Sequence, residues 1–155
     1  MTNQGAKIAI LDEYKKAIDE LKEITKKIPI DYLLKTLDTE TKDEDCQSIQ
    51  SILTHVVASG YTYVIEIRKW LGEDISYYEK TKLESVEQYH VALDEMFAYN
   101  EKLFQDYPSL RLETYDPENK IKVRWGQSYD VEQLFEHAIV HILRHRRQIE
   151  RFLNN

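Results

Sequence analysis

The stretch Asp130-Val131-Glu132-Gln133-Leu134-Phe135-Glu136-His137-Ala138-Ile139-Val140-His141-Ile142-Leu143-Arg144-His145-Arg146-Arg147-Gln148-Ile149-Glu150-Arg151-Phe152-Leu153 decides the fold. Leu134, Ala138, His141, Ile142, His145, Ile149 and Phe152 recur at three- and four-residue steps, with Glu, Gln and Arg between them. That period belongs to an amphipathic α-helix. Asp130, followed by Gln133, predicts a capping box at its start. Each helical residue advances about 100°, so with Leu134 at zero His141 falls at about −20° and His145 at about +20°. Both imidazoles lie in the middle of the apolar stripe, one turn and about 6 Å apart along the axis. His137 falls at about −60°, on the flank beside Arg144 and Gln148.

Working outward, three more helices are expected. One runs from about Ala6 to Lys27, on the stripe Ile8, Leu11, Tyr14, Ile18, Leu21 and Ile24, and Pro29 stops it. The next runs from about Asp45 to Leu71, with Thr41 and Glu44 as its capping-box candidates and Gly72 as its stop. The third runs from about Val86 to Tyr107, capped by Ser85 with Gln88 and closed by Pro108. About twenty residues separate it from the last helix, which is long for a bundle connection. Within them, 110–115 and 120–125 flank Asp116-Pro117-Glu118-Asn119 and read as a small hairpin or flap. The prediction is an all-α four-helix bundle with long connections, a single domain over 1–155. Connections of this length allow crossovers, so a simple up-down-up-down order is not required.

Composition narrows the function. The 155 residues are 42% hydrophobic and 32% charged, a globular balance. With 4 Gly and 3 Pro, turn formers are too scarce for a many-stranded sandwich or barrel. The single cysteine, Cys46, excludes an internal disulfide and any CxxC metal site. A net charge of −7 argues against a nucleic-acid partner, which needs clustered Lys and Arg. Neither a signal-type apolar segment nor a long apolar run is present, so a soluble cytoplasmic protein with no membrane partner is expected.

Two adjacent histidines on an apolar stripe need partners, because a buried polar group left unmatched costs on the order of 1–3 kcal/mol. Hydrogen bonds to neighbouring carboxylates, tyrosines or waters meet that need, and so does a divalent cation. A cation requires a third ligand. His55, midway along the second helix beside Ser59 and Gly60, is the candidate, whereas His90 reads as a surface residue and His137 as a flanking one. A ferritin-like di-iron site is excluded, since Glu87-Gln88-Tyr89-His90 is the only ExxH. There is no HExxH, GxSxG or P-loop. Asp43, Glu44 and Asp45 oppose a thiolate at Cys46. Arg144, Arg146, Arg147 and Arg151 read as a solvated face opposing the C-terminal helix dipole, or alternatively as a site for an anionic substrate.

The run from His137 through His141 and His145 to Gln148 closely resembles the HxxxHxxxHRGQ-type last-helix signature of the DinB-like superfamily, and Ile52-Leu53-Thr54-His55-Val56-Val57 resembles its isolated second-helix histidine. The superfamily also holds bacillithiol-transferase-like and mycothiol-dependent maleylpyruvate-isomerase-like proteins. The resemblance covers essentially the whole chain and implies a divalent ion, zinc or nickel, held by His55, His141 and His145. His137 and Gln148 are then supporting residues. One departure is Arg147, which stands where the signature has glycine. The resemblance further implies a homodimer, for which Trp70 and nearby tyrosines offer an apolar contact, and an enzyme that transfers a low-molecular-weight thiol to a small-molecule substrate or hydrolyses it. Three neutral imidazoles leave a cation its full charge and open positions, a pattern suited to catalysis. No general base stands out; Tyr61, Tyr63, Glu66 and Glu136 are candidates by proximity. The alternative is a non-catalytic metal-binding or dimerising bundle.

Overall fold

The computed structural model describes residues 4–155. Five helices follow in order: α1 (Gln4–Thr25), α2 (Ile30–Leu34), α3 (Ile49–Trp70), α4 (Val86–Asp106) and α5 (Val131–Leu153). Two short strands, β1 (Ile121–Lys122) and β2 (Ser128–Tyr129), pair antiparallel with Ile121 opposite Tyr129. The protein is therefore a helical bundle with one small hairpin between its last two long helices, and the four long helices occupy the stretches whose periodicity predicts them. No described helix is long and apolar enough to cross a membrane.

Packing sets the order of the helices around the core. α3 packs on α4 and α5, and α1 packs on α5 and α4. Helices α1 and α3 thus lie across the bundle diagonal, as do α4 and α5, and the long connections carry the chain across. The centre is filled by fully buried side chains from each long helix, among them Tyr14, Leu21, Ile52, Leu93, Met96 and Phe135. Gly60 lets α4 approach α3, since a Cβ there would collide with the buried Met96 side chain. The Asn100 amide closes the same contact by donating to the Gly60 and Met96 carbonyls.

Two local expectations are corrected, and one element is added. Helix α3 starts at Ile49, capped by Ser48, whose hydroxyl accepts from Ser51 N–H at 3.0 Å; Thr41 and Glu44 do not cap it. The acidic run instead forms a separate 3-10 turn, Glu44–Cys46, capped by Asp43. Local cap patterns occur at both places, and the burial of Ile49, Ile52 and Leu53 selects the later one. The hairpin also differs. Asp116-Pro117-Glu118-Asn119 is no hairpin tip; Asp116 caps a 3-10 turn over Pro117–Asn119. The chain reverses at Val123-Arg124-Trp125-Gly126, where Gly126 N–H donates to Val123 C=O at 2.9 Å and Gly126 adopts φ 101°. Glycine meets that positive φ without strain, so Gly126 fixes where the strands turn. Finally, the short α2 after Pro29 carries no periodic signal. It is held by burial of Leu33 and by Tyr32 donating to the Phe152 carbonyl at 2.7 Å.

Candidate metal centre

Helix α5 supplies most of the site. Its capping box forms: Asp130 accepts from Gln133 N–H at 2.8 Å, and Gln133 accepts from Asp130 N–H at 2.9 Å. The helix then carries His141 and His145 past α3, where His55 faces them. His55 Nε2 lies 2.9 Å from His141 Nε2, and His145 Nε2 lies 3.2 Å from the same atom. The three rings meet edge to face, with centroids 4.5 to 5.1 Å apart. Their donor atoms all fall within 4.8 Å of one another, so the three can hold one metal ion. His145 is buried, whereas His55 and His141 are half-buried, which leaves the cluster an approach from solvent.

The donor chemistry fits a cation. An imidazole nitrogen carries either one proton or one lone pair, so it makes one in-plane hydrogen bond. His141 Nε2 faces two nitrogens of the same kind and can satisfy only one of them by sharing a proton. Three lone pairs directed at a single positive charge resolve both contacts. The rings are also electrically ready. Burial pushes His141 down to about 2, and the neighbouring His145, His55, His137 and Arg144 act in the same direction. Burial lowers His55 too, with Asp45 opposing it. Burial likewise lowers His145 against its bond to Gln148. All three are therefore neutral at pH 7, the state a metal requires.

Neighbours fix the ring orientations. Gln148 Oε1 lies 3.0 Å from His145 Nδ1, which places the proton on Nδ1 and leaves Nε2 as a lone pair. Asp45 Oδ2 lies 3.3 Å from His55 Nδ1. That nitrogen has no directed hydrogen bond, so the contact is electrostatic. Asp45 was not among the expected residues. Its sequence signal is the acidic run Asp43-Glu44-Asp45 itself. Cys46 borders the same groove, and burial and Asp43 keep its thiol protonated.

The remaining candidates separate clearly. His137 stays outside the cluster, its ring among Tyr63, Trp125 and Tyr129 and stacked 6.5 Å from His141. His90, expected at the surface, is half-buried and bonds Thr25 Oγ1 at 2.9 Å. Of the general-base candidates, Tyr61 stacks on Tyr78, away from the triad. Glu66 follows His55 by three helical turns, roughly 16 Å along α3, and accepts from Arg124 N–H and Tyr77. Glu136 is exposed on the outer flank of α5. Tyr63 alone reaches the cluster, its ring 5.7 Å from His141, and burial pushes its hydroxyl up to about 12. It is a hydrogen-bond donor at neutral pH and not a base.

Three openings reach the triad, the smallest of them, about 370 Å³, a shallow dip over His137, Val140 and His141. A second, of about 420 Å³, lies beneath the hairpin, between Tyr63, Trp125 and His137. The third, of about 940 Å³, is a polar groove edged by Arg144, Arg147 and Arg151. A separate cavity of about 790 Å³ beside Trp70 holds none of the histidines.

The fold and the site define a helical bundle that gathers three histidines from two of its helices at a solvent-reachable point, close enough together that they could hold a metal ion. The chain belongs to the DinB family, whose model matches residues 1–154. A comparison with curated proteins returned no match.

Proposed function

We propose that the protein is a metal-dependent enzyme of thiol S-transferase or hydrolase type, working as one domain on a small-molecule substrate. His55, His141 and His145 hold a divalent cation, zinc or nickel, through Nε2. The observation that carries this reading is His141 Nε2, which faces two imidazole nitrogens at 2.9 and 3.2 Å. When bound, such a cation polarises a substrate carbonyl or stabilises a thiolate or hydroxide at neutral pH. The chain's own residues do the rest. Gln148 holds the His145 tautomer, Asp45 balances charge behind His55, and the Tyr63 ring packs edge-on against His141. A low-molecular-weight thiol fits as co-substrate beside the arginine-edged groove, whose guanidiniums suit anionic groups. Trp70, 42% exposed, supports a homodimer contact.

Plasma emission on the purified protein tests the metal reading. About one zinc or nickel per chain is expected, since three neutral nitrogen ligands bind such ions well. Equal occupancy in His141→Ala would remove the triad from the site. Turnover of a thiol with bromobimane, or of ester substrates, by the metal-loaded protein but not by that variant separates an enzyme from a binding bundle.

A further inference from the structure

The hairpin tip carries chemistry that the triad does not use. The turn Val123-Arg124-Trp125-Gly126 projects two adjacent side chains over the opening beneath the hairpin, and Trp125 keeps 40% of its surface exposed there. The turn is firmly seated. Val123 is buried, and Glu66, itself only 5% exposed, accepts the Arg124 N–H at 3.1 Å and the Tyr77 hydroxyl. A buried carboxylate spent on a surface turn fixes where Arg124 and Trp125 point.

The walls beneath are planar. Trp125, Tyr63 and His137 meet one another with centroids 5.1 to 6.0 Å apart, and the triad forms the inner end through His55 and His141. The volume, about 420 Å³, lies in the small-molecule range of roughly 300–1,000 Å³. Two cations stand at the rim. Lys80 is occupied, paired with Asp45 at 2.7 Å. Arg124 is not: its face covers Tyr77 at 4.1 Å, and it makes no salt bridge among the described residues. Face stacking leaves the in-plane N–H donors of a guanidinium for a carboxylate.

We propose that this cavity is the substrate subsite and that it takes a planar aromatic ligand bearing a carboxylate. The ring lies against Trp125 and His137, and the carboxylate meets Arg124. This deepens the metal-enzyme reading and rests on it for the term substrate; the binding itself does not require it. In that pose the ring edge opposite the carboxylate faces His55 and His141, where the cation of the proposed reading would act.

The test is calorimetric titration of the protein as purified with naphthoate, with cyclohexanecarboxylate as the non-planar control. Naphthoate is expected to bind saturably, about fivefold or more tighter than the control, because stacking adds roughly 1 kcal/mol. Trp125→Ala is expected to weaken it about tenfold through lost stacking and contact area. Arg124→Gln is expected to weaken it about tenfold as well, through the lost charge-assisted bond. Circular dichroism on both variants checks that they fold, and each replaces a side chain at a surface turn. Equal affinity for the two acids, or wild-type affinity in folded Trp125→Ala, overturns the proposal. So does a pattern in which His55→Ala abolishes binding while Arg124→Gln leaves it intact, since the carboxylate would then sit on the metal. Metal content measured on the same samples keeps the readings apart. Protein that carries no metal as purified and takes up none when zinc or nickel is added, yet binds naphthoate, sinks the metal reading and keeps the subsite, whereas full metal occupancy with no naphthoate binding sinks the subsite alone.

Discussion

Helix α3 carries two buried polar centres, and they are built in opposite ways. His55 lies in its first half and Arg68 near its end, thirteen residues on, or roughly 20 Å along the axis. Arg68 is almost fully matched. Its guanidinium donates to Glu73 at 2.9 Å and to Asp106 at 2.8 Å, and its faces lie against Tyr99 and Tyr107. Only Nε lacks a partner. Burial works against the charge, and the two carboxylates outweigh it, so Arg68 stays protonated. At the other centre three neutral bases face one another with no acid between them. The lesson concerns the completeness of polar matching. A buried group whose donors meet acceptors is finished as structure, whereas a cluster of acceptors facing acceptors is finished only by something positive.

The sharpest way to break that contrast is His141→Ala. Supporting residues of metal sites typically contribute 10–100-fold in affinity, so loss of a ligand is expected to weaken metal binding by more than about a hundredfold. Competition against a chelator of known affinity reads it, and a change of a few-fold would mean that His141 is not a ligand. Arg68→Ala should do the converse. It leaves Glu73 and Asp106 unpaired and is expected to lower stability by about 2 kcal/mol, less than a fully buried pair because both acids are partly solvated. Metal content should not change, as urea denaturation and plasma emission on one preparation would establish. Gln148→Ala sharpens the comparison within the candidate metal centre, since it frees the His145 tautomer. A loss of about tenfold in metal affinity is expected, with little effect on stability.

Acid stability of the metal-free protein tests the same contrast from the side of the histidines. His141, His55 and His145 are all held below the ordinary histidine value. The unfolded chain therefore takes up protons below about pH 6.5 that the folded chain refuses. Stability is complete above that pH and falls as the pH drops from about 6.5 towards the folded values, by about 1 kcal/mol per pH unit for each ring that stays neutral. Denaturation midpoints at pH 7.5 and 5.5 measure it. Saturating metal should steepen the loss, because protons then compete for the same lone pairs. A flat profile in the metal-free protein would show that the rings are solvated, and the contrast with Arg68 would fail.

Much of this was legible in the chain. The α5 stripe, its Asp130 and Gln133 cap and the neighbouring placement of His141 and His145 follow from a period of 3.6 residues, which is a local property. The setting apart of His137 follows from the same wheel. His90 reads as a surface residue in the sequence because its partner, Thr25, belongs to another helix. The α3 start was misplaced because Thr41 and Ser48 both offer cap chemistry, and only packing chooses between them. The hairpin slipped because Asp116-Pro117 and Gly126 are both turn signals, and a strand pair of two residues leaves no alternation to read. Glu66 looked like a base only by nearness in sequence; in space it holds the hairpin.

The sequence by itself determined four amphipathic helices and a pair of histidines on one face of the last, because helical period and capping act over a few residues. Only the tertiary structure decided that His55, 86 residues from His141, reaches the same point. Only it decided that Trp125 and Arg124 stand over the opening, and that Arg68 is matched by carboxylates while the histidines face one another. Those outcomes depend on which helices cross the diagonal of the bundle and where one glycine turns the chain. Both are settled by burial between distant segments, which no local pattern records.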